Sequence, residues 1–222
     1  MRNHVVCAIA GCVLGSCALV APAIAGGLAE ESKIITIILR SDAKYSSVAL
    51  GEMSREASAI LRKSGIQLVT RTSSAAGETF DESIVVVTLR GECDMDRPAG
   101  MPYPSRSASS RRDSKLPDFK GSALGWTHSS DGVVLPFSEL ACDNIREAVS
   151  GAMPVNAASR ANFFLGRAMG RVLAHELYHV VAATFEHGHG GVAQPGLTPA
   201  DLVAGRLELD TDDADAIRAG RQ

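Results

Sequence analysis

Two histidines and a glutamate stand close together in residues 175–179, whose sequence is His-Glu-Leu-Tyr-His. Residues four apart lie one above the other on a helix, so the imidazoles of His175 and His179 can reach a single metal ion. Glu176 is turned by about 100° from His175, which leaves its carboxylate beside the ion and free to take a proton from water. The flanking residues are apolar and predict a buried helix, and ligation of a metal explains why polar groups occur there.

A third metal ligand is predicted just beyond this helix, where His187 and His189 flank a glycine. The glycines of this stretch let the chain turn back toward the helix. We predict His187 as the ligand because it comes first, and His189 is the alternative. Glu186 and Glu208 are weaker candidates. Three protein ligands leave the fourth position for water, as in catalytic zinc sites, whereas a structural site takes a fourth ligand from the protein.

This donor set predicts a site for one Zn²⁺ ion that activates water for hydrolysis. Zinc lowers the pKa of its bound water toward ~7 and polarises a carbonyl oxygen. Glu176 is the predicted general base, which accepts the proton of the attacking water and delivers it to the departing amine. We therefore expect a zinc-dependent endopeptidase with a peptide or protein substrate. The alternatives are a zinc-binding interaction protein without turnover and a zinc amidase that acts on non-protein amides such as those of cell walls.

The elements that position these residues are predicted from apolar periodicity and turn signals. A β-branched run over 33–40 predicts a buried strand, and apolar residues at helical spacing predict a helix over 46–63 that stops at Gly65. Two more strands are predicted over 66–70 and 83–90. The order strand, helix, strand, strand indicates a sheet that is covered by a helix.

The C-terminal half of the chain holds a predicted hairpin and three predicted helices. The strands of the hairpin cover 122–128 and 132–137, with Asp131-Gly132 as the turn. The helices are predicted over 138–149, 156–184 and 198–209. The second of them, over 156–184, carries the candidate site. An acidic tail through Asp215 follows them.

Residues 93–121 interrupt this regular pattern and are rich in proline and serine. We predict a long exposed loop there, within a single domain over 26–222. Formal net charge is −3 and aromatic residues make up 5% of the chain. Neither value favours a basic surface or stacking platforms for bases, so we expect no nucleic-acid partner.

With this order of elements the chain resembles the zincin metallopeptidases, and within them the metzincin clan. The stretch Gly-Arg-Val-Leu-Ala-His-Glu-Leu-Tyr-His at 170–179 is also similar to that of a group of small exported bacterial proteins. The resemblance covers roughly residues 33–192 and implies an α+β fold, a mixed twisted sheet of about five strands with a covering helix and an active-site helix. It also implies that the strand at 122–128 lies at the sheet edge and pairs with extended substrate. The chain has Ala182 and Phe185 where the clan has glycine and histidine, and no methionine follows the site.

Residues 1–25 have the layout of a secretory signal peptide, with a charged start, an uncharged apolar stretch and small residues before a cleavage site. The protein is therefore predicted to be exported, periplasmic or secreted, without a membrane span. A lipid anchor at Cys17 is the alternative, since the residues before it resemble a lipobox. Removal of the signal leaves Cys93 and Cys142, which we predict to form a structural disulfide in an oxidising compartment.

Overall fold

The computed structural model describes residues 32–41, 44–72, 83–96 and 123–220. The predicted signal peptide, with Cys17, and most of the predicted loop over 93–121 lie outside the described residues. None of the described helices combines the length and the apolarity that a bilayer span requires.

Five strands form one mixed sheet among the described residues: β1 (Lys33–Ser41), β2 (Ile66–Thr72), β3 (Ser83–Arg90), β4 (Gly125–Ser130) and β5 (Val133–Ala141). Their order across the sheet is β2-β1-β3-β5-β4. The first four of these run parallel, and β4 pairs antiparallel with β5. The mixed five-stranded sheet and the helices that accompany it confirm the predicted α+β class.

The described α-helices are α1 (Ser47–Leu61), α2 (Cys142–Ala152), α3 (Ala161–Ala182), α4 (Pro199–Val203) and α5 (Thr211–Ala219). The two longest, α1 and α3, pack with their backbones in close approach. A Cβ atom added to Gly170 of α3 would lie 2.8 Å from the carbonyl oxygen of Met53, and one added to Gly166 would collide with the carbonyl oxygen of Ala49. These two glycines therefore let α3, which carries the candidate site, lie directly on α1.

A buried arginine ties α3 to its surroundings. Arg171 is fully buried, and its Nε–H donates to Oε1 of Glu56 in α1 over 2.9 Å. The two terminal nitrogens donate to the carbonyl oxygens of Asp201 and Ala204, the latter over 2.9 Å. Helix α3 is thus fixed to α1 on one side and to α4 on the other.

The predicted helix over 138–149 is wrong at its beginning. Residues 138–141 continue β5, because they pair in register with residues 87–90 of β3. The pairing with a neighbouring strand overrides the local helical pattern. Helix α2 begins only at Cys142. The long predicted helix over 156–184 is present as a short 3₁₀ segment followed by α3.

In the C-terminal region one helix is much shorter than predicted, and a second helix lies where the sequence predicted none. The helix predicted over 198–209 is only five residues long, because the backbone becomes extended at Ala204, where ψ is 156°. The guanidinium of Arg171 donates to the carbonyls of Asp201 and Ala204 at this end. The predicted acidic tail contains α5. The side chain of Asp210 caps this helix by accepting the N–H of Asp213 over 2.9 Å, as an N-terminal cap does.

Two local predictions are confirmed. Cys93 and Cys142 form a disulfide with their Cα atoms 5.0 Å apart, which joins the segment after β3 to the first turn of α2. The hairpin turn lies at Asp131 and Gly132, whose φ angles are 52° and 79°. Both angles are left-handed, as a tight two-residue hairpin turn requires.

Candidate metal centre

The chain reverses direction after α3 and returns to the histidines of that helix. Ala183 adopts a left-handed conformation with φ 49°, and its N–H donates to the carbonyl of His179, which ends the helix. The N–H of Gly188 then donates to the carbonyl oxygen of Ala193 over 2.8 Å, which closes a turn. As a result the ring of His187 lies 5.2 Å from that of His175 and 4.8 Å from that of His179, between centroids.

The three histidines offer ring nitrogens that all lie within 4.8 Å of one another. The Nε2 atoms of His175 and His179 are 3.3 Å apart. His179 is buried, His175 is half-buried and His187 is exposed. The structure thus brings together the three side chains that the sequence nominates as ligands, and it makes them a group that can hold a metal ion.

Backbone carbonyls orient the two helix histidines. The Nδ1–H of His175 donates to the carbonyl oxygen of Val192 over 2.8 Å, and the Nδ1–H of His179 donates to that of Thr184 over 2.9 Å. A carbonyl oxygen can only accept, so each neutral ring carries its proton on Nδ1 and a lone pair on Nε2. Two lone pairs therefore face each other with no hydrogen between them, which is the arrangement that a cation satisfies.

Burial keeps these rings neutral. Desolvation, together with the neighbouring His179 and His187, lowers the pKa of His175 to about 4 against the opposing effect of the hydrogen bond to Val192. Desolvation also lowers the pKa of His179. Neutral imidazole is the form that binds a metal, so the helix histidines are ready ligands at neutral pH.

The side chain of Glu176, a residue of α3, faces β4 and is 4% exposed. The hydroxyl of Thr127 donates to its Oε2 over 2.7 Å. On the other side of the carboxylate, a Cβ atom added to Gly125 would lie 2.9 Å from Oε1. Burial raises the pKa of Glu176 to about 7, and the hydrogen bond from Thr127 opposes this rise. A carboxyl group with a pKa near neutrality can both accept and release a proton.

A cavity of about 500 Å³ opens above these residues. Glu176 and the three clustered histidines line it together with β4 and the segment 195–197. Most of the other lining side chains are apolar, among them Val172, Phe185 and Leu197. The cavity therefore offers an extended, mostly apolar surface next to one carboxylate and three imidazoles.

The weaker ligand candidates do not join the histidine cluster. His189 and Glu186 are not among the three side chains whose ligand atoms converge. Glu208 instead accepts from Lys63 at 2.6 Å and from Arg206 at 2.7 Å. The two cysteines, which could have supplied a fourth ligand, are joined to each other.

Sequence reasoning missed three groups that the site uses. Thr127 lies on a predicted strand, but nothing in the pattern of that strand indicates which residue its side chain meets. The carbonyls of Val192 and Thr184 orient the histidines through the path of the backbone, which carries no residue-type signal. An outer-shell partner for each histidine could be expected from general metal-site chemistry, without its identity.

No protein-family model matches this chain, and no curated protein matches its sequence. We therefore infer the function from the geometry and chemistry of the site.

Proposed function

We propose that this protein is a zinc-dependent peptidase of zincin type. The observation that carries the proposal is the pair of Nε2 lone pairs on His175 and His179, which face each other at 3.3 Å beside His187. Such a pair repels unless a cation lies against both nitrogens. Three imidazoles suit Zn²⁺, and three protein ligands with an open fourth position are typical of catalytic rather than structural zinc.

Glu176 supplies the proton transfers that hydrolysis needs. A Zn²⁺ ion held by His175, His179 and His187 would supply Lewis acidity, which would polarise the scissile carbonyl and make water a stronger acid. Oε1 of Glu176 accepts no hydrogen bond from the described residues, whereas Oε2 is held by Thr127. Glu176 takes the proton of the attacking water and returns it to the departing amine. Its pKa near 7 suits both transfers.

The position of β4 favours an extended peptide as the substrate. β4 is the last strand in the sheet order. The N–H of Ala141 in β5 donates to the carbonyl of Leu124 over 2.8 Å, and this bond sets the alternation of the antiparallel pair. Gly125 and Thr127 consequently direct their own N–H and C=O groups away from β5. A peptide that adds to this edge as a further strand runs along the cavity beside Glu176.

The proposal is tested with the purified mature protein, zinc analysis and two substrates, an unfolded protein and internally quenched peptides. We expect about one zinc per chain and cleavage that a chelator abolishes. Glu176→Gln should lose about 10²–10⁴-fold in rate while it keeps its zinc. Glu186→Gln, which neutralises an exposed carboxylate beyond the helix, is the matched control and should stay active. A Glu176→Gln variant as active as wild type, or a zinc-loaded wild type that cleaves neither substrate, contradicts the proposal.

A further inference from the structure

We propose that Thr127 is a positioning residue that, backed by Ser138, holds the carboxylate of Glu176 in the orientation needed for proton transfer. The inference rests on the proposed hydrolytic function of Glu176. It extends that function to two hydroxyl residues of the hairpin, on β4 and β5, which no motif of the sequence marks.

Three polar side chains meet between the hairpin and α3. The Oγ1 of Thr127 lies 2.7 Å from Oε2 of Glu176 and 3.1 Å from the hydroxyl oxygen of Ser138. Thr127 and Ser138 stand directly opposite each other in the register of β4 and β5. Ser138 is 1% exposed and Glu176 is 4% exposed. Ser138 and the carboxylate are therefore enclosed, and the half-buried Thr127 lies between them at the wall of the cavity.

The single hydrogen of the Thr127 hydroxyl fixes the direction of these contacts. An ionised carboxylate can only accept, and a charged acceptor at 2.7 Å takes the hydrogen in preference to a neutral one. The hydroxyl of Ser138 then donates to Thr127. The main-chain carbonyl of Glu176 lies 3.1 Å from the same Oγ1.

The hydrogen bond from Thr127 gives the two carboxylate oxygens of Glu176 different roles. Oε2 is held by Thr127, and Oε1 accepts no hydrogen bond from the described residues. Oε1 lies where a side chain on Gly125 would project, because a Cβ there would be 2.9 Å away. The hairpin thus anchors one oxygen and leaves space for the other, which is the one free to exchange a proton. Fixing a reacting group in one orientation is a major source of catalytic rate.

A purely structural role for Thr127 makes a different prediction. Cross-strand threonine and serine pairs stabilise many sheets. In that case Thr127→Val, which keeps the β-branched shape and removes only the hydroxyl, would lower stability and substrate binding along with the rate. A positioning role requires the hydroxyl itself, so the rate should fall while zinc content and KM stay the same.

The test compares Thr127→Val, Thr127→Ser and Ser138→Ala by kcat, KM and zinc content on a quenched peptide. We expect Thr127→Val to lower kcat about 10–100-fold, the cost of a misplaced catalytic group. Thr127→Ser should restore most of kcat, and Ser138→Ala should cause a smaller loss in kcat. Thr70→Val makes the same chemical change in β2, at the opposite edge of the sheet, and should leave all three values unchanged. A Thr127→Val variant with wild-type kcat, or a loss that Thr127→Ser does not rescue, overturns the inference.

A second readout does not depend on turnover. The infrared carboxylate band of Glu176, isolated as the difference between each protein and its Glu176→Gln counterpart at pH 9, reports hydrogen bonding to that side chain. We expect the band to move in Thr127→Val and to return in Thr127→Ser. An unmoved band overturns the contact between Thr127 and Glu176. If the wild type cleaves no peptide but the band behaves as expected, the proposed function fails while the contact stands.

Discussion

Helix α3 buries two sets of polar side chains one turn apart, and the two sets are satisfied in different ways. The guanidinium of Arg171 finds a carboxylate and two carbonyl oxygens within the chain. His175 and His179 each use one nitrogen on a carbonyl and turn the other toward its counterpart at 3.3 Å. A buried polar group with all its partners inside the chain maintains the fold. Acceptors that converge without a donor between them mark a binding site.

The same contrast holds for charge. Arg171 is a buried cation whose counter-charge is Glu56, so removal of Glu56 leaves the guanidinium as an unpaired buried charge. The helix histidines are neutral, because burial lowers their pKa values. Burying these neutral rings therefore lowers the free energy of unfolding only a little. A bound metal ion would be their first charged partner. Substitutions at the two sets should separate stability from metal binding.

The largest effect on stability is expected from Arg171→Met. Methionine fills part of the space but removes the buried cation of Glu56, whose other cation, Arg55, lies 3.5 Å away at the surface, and breaking a buried ion pair costs about 3–5 kcal/mol. The free energy of unfolding, measured in urea, should fall by this amount both with zinc and with a chelator. Arg55→Met is the matched control. Arg55 pairs with Glu52 and, at 3.5 Å, with the same Glu56, but its own side chain is 56% exposed, so its loss should cost less than about 1 kcal/mol. Equal losses in the two variants would refute the comparison.

Metal binding should show the opposite pattern. At a zinc concentration of 100 times Kd, wild type should gain about 2.7 kcal/mol of unfolding free energy over the chelated protein. His179→Ala should gain none, because one of the two facing lone pairs is gone. Comparing each protein with and without zinc cancels the cavity that the substitution leaves. Arg171→Met should keep the full gain, and a His179→Ala variant that also keeps it would contradict the proposed ligand set.

The fold could be predicted where local pattern and tertiary environment agree. The β-branched run of β1, the amphipathic spacing of α1 and the Asp131-Gly132 turn all carry their own signals, and each element lies where it was predicted. Prediction failed where a distant partner decides the structure. Residues 138–141 remain a strand because β3 pairs with them, and α4 stays short beside the guanidinium of Arg171, some thirty residues earlier.

The candidate site follows the same rule. His175, Glu176 and His179 could be nominated from spacing on one helix, and His187 from its nearness in sequence to the helix end. The contact of Thr127 with Glu176 spans 49 positions and depends on how the hairpin lies on α3. The orienting carbonyl of Val192 depends on the turn after the helix. Side-chain identity indicates ligands, whereas their outer partners come from the folded backbone.

The exposed histidine of the cluster should matter less than the buried pair. We expect His187→Ala to weaken zinc binding by at least about 10–100-fold, the cost of losing an outer-shell partner, because here a proposed ligand itself is removed. His189→Ala should bind zinc like wild type, since His189 is outside the cluster. Competition with a chromophoric chelator measures both affinities. Zinc retained in His187→Ala and lost in His189→Ala would exchange the two assignments.

Asp213 of α5 gives the smallest expected effect and a third way to accommodate a buried polar group. It is 4% exposed, and its carboxylate lies where a side chain on Gly188 would project. Burial, together with the neighbouring Asp210 and Asp212, raises its pKa to about 6 against the opposing hydrogen bond from Tyr178. The folded protein therefore holds this proton more tightly than the unfolded chain, whose aspartates titrate at about 3.9.

The sign of the pH dependence follows from that difference. The contribution of Asp213 to the free energy of unfolding is greatest below pH 4. It is lost as the pH rises toward 6, because the folded state must then bury a charge. Asp213→Asn stays neutral and lacks this slope. Subtracting the urea unfolding energies of the two chelated proteins at each pH cancels the histidine titrations that occur in the same range. We expect the difference to favour the asparagine variant increasingly between pH 4 and 6 and to level off above it. A flat difference would show that Asp213 enters the fold ionised. Buried polar groups near the candidate metal centre would then be satisfied by partners within the chain or by a metal, and not by keeping a proton.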